Sequence, residues 1–199
     1  MPEDNKNEEI PKVLSEIESK NYREEELTLE EKEVLNKNIE SAIQETHRIE
    51  NTAENIEAVK VLLRDDISIE KDGEYLNVYA NRSRTSKKKP TIRIKVKTAA
   101  AVFNAIIFLI AAGATGGTGV AAMRALIKKM GTTAARNYIK RRAVAKIKNK
   151  LIAWGMSKYA GVVPSLLGSA LYNILDPGTG LAKALDRRDG WGTNGYIEI

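Results

Sequence analysis

The sequence predicts a mainly α-helical protein with a small antiparallel β element. Acidic N-terminal helices come first, then a short three-stranded sheet, then a hydrophobic and basic helical bundle. Three observations carry that reading. Apolar residues recur at helical spacing before residue 64 and again after residue 98. Between them the period shortens to two, as in TIRIKVK at 91–97. Residues 98–123, TAAAVFNAIIFLIAAGATGGTGVAAM, hold no charge at all in a chain that is 29% charged.

Charge divides the chain further. Residues 1–60 carry 8 Lys/Arg and 17 Asp/Glu, residues 61–100 carry 10 and 5, and residues 101–199 carry 14 and 4. An acidic front and a basic, apolar back are different physical objects. Four regions follow: an acidic helical region at 1–64, a small β element with a basic loop at 65–97, a hydrophobic and basic helical region at 98–176, and a turn-rich tail at 177–199. The chain has no cysteine and one histidine, His47. Disulfides, Cys-ligated zinc and thiol catalysis are excluded, and no histidine set exists for a metal. The start, MPEDNKNEEI, has neither a basic n-region nor an apolar h-region, so no secretory signal peptide is expected. The YREEE at 22–26 fits a Y-x-x-x-E export pattern, but such a match is cheap in a Glu-rich stretch.

Residues 1–8 read as a polar tail. Ile10, Val13, Leu14 and Ile17 predict a short helix over 9–19, broken by Asn21. Thr28 with Glu31 forms a capping-box pattern that opens a long helix reaching about Arg64. Its inner stripe, Leu35, Ile39, Ala42, Thr46, Ile49, Ala53, Ile56, Lys60 and Leu63, steps by fours and threes as a heptad seam does. Thr46 and Lys60 interrupt the stripe. Packing within the same domain is the simpler use of that face, and a coiled-coil partner the sharper one. ISIE (67–70), a turn at Asp72-Gly73 and YLNVY (75–79) read as a hairpin. A basic loop, NRSRTSKKKP, leads to the third strand, with Ile92, Ile94 and Val96 on one face and Arg93, Lys95 and Lys97 on the other.

Ala99–Ala112 suits a helix that is apolar nearly all round, and glycines at 113, 116, 117 and 119 interrupt it. A second helix is expected from Val120 to Met130, ended by Gly131. A third follows a Thr132 or Thr133 cap, with Ala135, Ile139, Ala143, Ile147 and Leu151 at steps of four. A fourth apolar segment, 151–175, is broken by Lys158, Gly161 and Pro164. The tail predicts a short helix around 180–186, D-G and N-G turns, and a candidate edge strand.

The uncharged stretch has two readings, a buried core or a membrane-entering segment. Its strongly apolar part, 99–112, spans about 21 Å at 1.5 Å per residue, short of the roughly 30 Å hydrocarbon layer. A hydrophobic hairpin is therefore the better membrane geometry. Val102, Phe103, Ile106, Ile107, Phe108, Leu109 and Ile110 would insert. Gly113, Gly116, Gly117 and Gly119 would form the turn, with Gly113 and Gly117 as a G-x-x-x-G packing pair. Lys97 on one side and Arg124, Lys128 and Lys129 on the other would return to one surface. Lys140, Arg141, Arg142, Lys146, Lys148 and Lys150 would bind anionic lipid at about 1 kcal/mol each, and Trp154 would anchor at the interface. Taken singly, each helix suits a soluble bundle; the series favours membrane action. The acidic front would then mask the hairpin by charge.

On AVFNAIIFLIAAGATGGTGVAAM and NYIKRRAVAKIKNK the chain resembles bacterial membrane-active antibacterial proteins, that is, large bacteriocins and pore-forming colicin-type toxins. Their pore domains bury a hydrophobic helical hairpin inside amphipathic and basic helices. The likeness covers about 98–150, and the hairpin here is shorter and richer in glycine. The resemblance implies a membrane-permeabilising toxin that is secreted without a visible signal peptide and acts at the anionic membrane of a target bacterium. It implies an immunity protein or receptor as partner, a homo-oligomer on the membrane, and no cofactor, metal or nucleic acid.

Enzyme motifs are missing from the sequence. It has no nucleophile elbow and no G-x-x-x-x-G-K-[ST], and GATGGTG (113–119) follows an apolar helix rather than a strand. Asp186, Asp189 and Asn194 fail the EF-hand spacing and read as turn chemistry. The rival classes are a soluble protein–protein interaction module with a buried Ala/Gly-rich helical core, a resident membrane protein, and a basic nucleic-acid binder. The last would use Lys87–Lys89, the face of Arg93, Lys95 and Lys97, and the helix at 140–150, but lacks aromatic stacking platforms there. The GWGTNGYIEI tail reads either as a clasp to the sheet or as a receptor or immunity contact.

Overall fold

Apolar side chains on every face of a helix leave no side to turn to water, and this dictates the architecture. In the computed structural model, which describes residues 4–46, 49–64, 76–78 and 92–199, helix α4 spans Val96–Thr115 and every residue from Thr98 to Ala112 is buried. It ends at Gly116, whose φ of 78° is the left-handed C-cap that glycine adopts without a Cβ clash. Around it pack α1 (Asp4–Ser19), α2 (Leu29–Glu45), α3 (Ala53–Leu63), α5 (Gly119–Met130), α6 (Thr132–Ala153) and α8 (Pro177–Arg188). A 3-10 stretch at Ser157–Val162 leads into α7 (Val163–Ala170), which carries Pro164 in its first turn and packs between α6 and α8. The expected class, mainly α with a small antiparallel β element, is the class observed.

The wrapping helices are one-sided. α1 turns in Leu14 and Ile17, α2 Leu35, Ile39, Ala42 and Ile43, and α3 Val59, Leu62 and Leu63. Helix α1 reaches further toward the N-terminus than the predicted 9–19. It is followed by Asn21 and Tyr22 at φ 50° and 56°, and the Asn21 side chain ties this corner to Arg64 O at 2.9 Å. The capping box forms in full: Glu31 N–H donates to Thr28 Oγ1 at 3.2 Å, and Thr28 N–H donates to the Glu31 carboxylate at 3.0 Å.

The long helix predicted to run to Arg64 is two helices. Its stripe breaks at the residue that interrupted it: Thr46 returns its hydroxyl to Ala42 O at 2.7 Å and becomes the C-cap of α2. Thr52 then starts α3 afresh by accepting from Asn55 N–H. The heptad seam is therefore not continuous, and its α2 half packs on α4 instead of a coiled-coil partner.

The sheet has three strands, but not the three predicted. Strands β1 (Leu76–Val78), β2 (Ile92–Lys95) and β3 (Tyr196–Glu198) lie in that order, all antiparallel. Leu76 pairs with Ile94, and Ile94 with Ile197. The third strand comes from the tail, while the predicted strand at 67–70, its D-G turn and the basic loop at 81–90 fall outside the described residues. Strand β2 is thus central, and it passes into α4 without a loop. The later helices fall where the periodicity placed them, and Gly131 ends α5.

Two consequences can be measured. A methyl at Gly178 would meet Ala100 O at 2.1 Å and Asn104 Oδ1 at 2.7 Å, whereas one at Gly161 meets nothing within 4 Å. Gly178→Ala should destabilise by about 3 kcal/mol and Gly161→Ala by no more than about 0.5 kcal/mol in urea unfolding. The backbone hydrogen bond at Thr28, then the Lys20 side chain, hold the Glu31 carboxyl below its ordinary pKa. A lowered folded pKa gives stability that is complete above the unfolded value and lost as pH falls through the folded one. The stability gap between wild type and Glu31→Gln should therefore be full at neutral pH and close in acid, read by denaturation at both.

Candidate functional site

The residues assigned to insertion are together, and they are inside. Val102, Phe103, Ile106, Ile107, Phe108, Leu109 and Ile110 all lie on α4, none more than 8% exposed. The hairpin forms as a chain path, α4 turning at 116–118 into α5, but its arms differ. On α5 only one side, Ala122, Met123 and Leu126, is buried, while Arg124, Lys128 and Lys129 stand outside. The glycines play separate parts. Gly113 packs on Leu14 of α1, Gly116 caps α4, and Gly117 sits in the turn against Ala122. Gly119, at φ 59°, lies where a Cβ would strike Ser41 Oγ at 2.2 Å. Its N–H donates to the buried Asn38 at 2.8 Å, and Val120 N–H donates to Ser41 Oγ at 2.9 Å. Gly113 and Gly117 do not form one close-approach face here.

The six basic residues of α6 also divide. Arg141 and Arg142 are exposed, with Arg142 over the Tyr138 ring at 3.5 Å. Lys140, Lys146 and Lys148 are half-buried, and Lys146 pairs with Glu18 of α1. Lys150 is 8% exposed and donates to Leu63 O, so its charge is spent inside. Trp154 is likewise interior at 1% exposed. It stacks on Phe103 with ring centres 5.8 Å apart and donates to Leu62 O at 3.1 Å. Among the described residues the exposed aromatic rings are Tyr172 and Trp191 instead, the second within the GWGTNGYIEI tail.

The described part of the acidic front covers α4 with apolar side chains. Among the described residues one ion pair, Lys146 with Glu18, joins residues 1–60 to the basic residues beyond 100.

Two polar assemblies lie outside the predicted site. The first is Asn104, the single polar side chain within 99–112, fully buried. Its amide donates to Thr46 Oγ1 at 3.1 Å and to Asp176 Oδ1 at 2.8 Å, and its oxygen accepts from Gly178 N–H at 2.7 Å. It joins α2, α4 and α8, and its sequence signal was one amide among apolar neighbours. The second is the tail. Asp186 accepts from the backbone of Asn194 and Gly195, and Asp189 from that of Trp191 and Glu198. Glu198 accepts from Arg93 at 2.8 Å and from Asn194 at 3.0 Å. Burial pushes the Asp189 carboxyl up and keeps the Tyr159 hydroxyl protonated, donating to Glu198 O at 2.6 Å. Asp186 and Asp189 are used up in binding backbone, as turn chemistry requires, and Glu198 in binding the side chains of Arg93 and Asn194. No group of three or more His, Asp and Glu among the described residues is placed to hold a metal.

No family model matches this chain, and neither a curated protein nor a solved structure is similar to it. One helix among the described residues, α4, is long and apolar enough to cross a membrane, and 83% of its most apolar window is buried. The core helix of a soluble protein has the same length and composition.

Removing the Asn104 amide leaves a buried carboxylate and a buried N–H short of partners. Asn104→Ala should therefore destabilise by about 3 kcal/mol, measured by urea unfolding followed by far-UV circular dichroism.

Proposed function

We propose that this protein is a membrane-permeabilising antibacterial protein of bacteriocin or toxin type. It meets an anionic membrane through the exposed cations of α5 and α6 and inserts the α4–α5 hairpin. The observation that carries this reading is α4. It has 20 residues with one charge, Lys97, at its entrance. At 1.5 Å per residue that is about 30 Å, the thickness of the hydrocarbon layer. The helices covering it are amphipathic, so each has an apolar face that suits the interface once α4 leaves. Uncovering α4 in water would cost more than 10 kcal/mol, since each large apolar side chain loses about 2 kcal/mol. Release therefore waits for a lipid surface that replaces the lost burial. Secretion without a signal peptide, assembly of several copies on the membrane, and a cognate immunity protein or receptor belong to the same proposal.

A second reading has its own support. The Asn104 network and the close approach of Gly178 to Ala100 tie α4 into the fold as they would a permanent core helix. That favours a soluble interaction module.

Vesicle leakage separates the two. With the full chain, dye release should be fast from phosphatidylglycerol-rich vesicles and slow from phosphatidylcholine vesicles. Arg141→Gln with Arg142→Gln should weaken vesicle binding about thirty-fold, at about 1 kcal/mol per charge. In a Trp191→Phe background, brominated lipid should quench Trp154 as it leaves Phe103. No leakage with an unquenched Trp154 would overturn the membrane reading and leave the interaction module.

A further inference from the structure

A half-open cavity of about 900 Å³ lies at the root of α4, walled by the approach to α3, the β2–α4 junction, α8 and β3. Three features of its lining point to one kind of ligand. The first is charge. Among the described residues its lining holds Lys97 and Lys183, from α4 and α8, and Lys95 of β2, which has an interaction of its own, against a single carboxylate, Glu50. Among the described residues neither Lys97 nor Lys183 is in an ion pair.

The second is Thr98. It is 2% exposed and lines the cavity, yet its hydroxyl makes no hydrogen bond with any described residue. Thr46 and Thr115 both return their hydroxyls to the carbonyl four residues back. Thr98 does not, and its oxygen is not among the enclosed atoms without a partner, so the hydroxyl opens on the cavity, where a ligand can reach it.

The third is the backbone. Lys95 gives α4 no side-chain cap. Gly195 O takes the Val96 N–H at 2.9 Å, and the N–H groups of Lys97 and Thr98 are first-turn donors, with no carbonyl of their own helix four residues back, at the positive end of a 20-residue helix.

We infer that this cavity binds a phosphate group carried on a small, partly apolar body. The first-turn amides and the Thr98 hydroxyl supply directed donors for the phosphate oxygens, and the lysines supply point charges around them. Ile49, Val96 and Ala100 offer an apolar wall to the rest of the ligand. The volume falls in the usual range for small-molecule sites. A soluble phosphate monoester and a lipid headgroup share this chemistry. The site stands independently of membrane insertion.

The test is an amide nuclear magnetic resonance titration of the full chain at constant ionic strength, with glycerol 3-phosphate and with inorganic phosphate. The Lys97 and Thr98 amides should shift to saturation. Lys97→Gln with Lys183→Gln, both exposed positions, should weaken the apparent Kd about ten-fold, and Thr98→Val about five-fold. Lys12→Gln with Lys37→Gln, equal in charge but exposed on α1 and α2 away from the cavity lining, should leave it unchanged. Co-sedimentation with phosphatidic acid vesicles, competed by glycerol 3-phosphate, would identify the headgroup as the source. Saturable binding of the soluble monoester without vesicle competition would identify a free organic phosphate. Shifts that never saturate, or an equal response of the two lysine pairs, would overturn the assignment.

Discussion

A helix without a polar face cannot sit at a surface, and this one constraint organises the molecule. Ala-rich turns let backbones come close to α4, while Phe103, Phe108 and the isoleucines and leucine from 106 to 110 demand cover on each side. Six helices supply it, and each is amphipathic because its outer side is water. Surface charge is then a by-product of wrapping. Acidic residues of α1 to α3 and basic residues of α5 and α6 occupy the outer faces of the same shell, and among the described residues they meet directly at Glu18 and Lys146.

Within that shell, position along α4 is set by polar contacts and not by the apolar ones. A sleeve of Leu, Ile and Ala would let a greasy rod slide or rotate at modest penalty, because such contacts are non-directional. Asn104 removes that freedom. Its bonds to Thr46, Asp176 and Gly178 are satisfied at one depth and one rotation only. Just past its far end, Gly119 and Val120 fix the start of α5 on Asn38 and Ser41 of α2. A helix prepared for permanent residence and a helix prepared for release both need this register while folded. They differ in what happens to Asn104 afterwards, since an amide leaving three partners for hydrocarbon is a large opposing term.

Much of this was legible in the sequence, and the misses have physical causes. Regular periodicity found α4, α5 and α6 with their ends, because a run of one period bounded by glycine leaves few options. The capping box at Thr28 was readable because it is local. The break at Thr46 was visible only as a blemish. It becomes a helix end because Asn104, 58 positions away, offers that hydroxyl a second bond. Strand β3 was legible as a candidate edge strand, but its partner lies 105 positions back, beyond the reach of any local pattern. Trp154 and Lys150 read as interface residues because amphipathic side chains suit an interface and an interior with one polar outlet equally well. Here the outlets are the carbonyls of Leu62 and Leu63 at the end of α3.

The late arrival of β3 bears on how the chain is made. About 80 residues separate the end of α4 from Tyr196, so a ribosome adding 5–20 residues per second leaves β2 without its second neighbour, and Val96 N–H without Gly195 O, for about 4 to 16 s. Helices α1 to α3 precede α4 and can shield one side during that interval, but α8, which carries Gly178 against Ala100, is also still to come. The nascent chain therefore passes through a stage in which its most insoluble element is half dressed. Protection at that stage has to come from outside the fold or from α5 and α6 as they emerge.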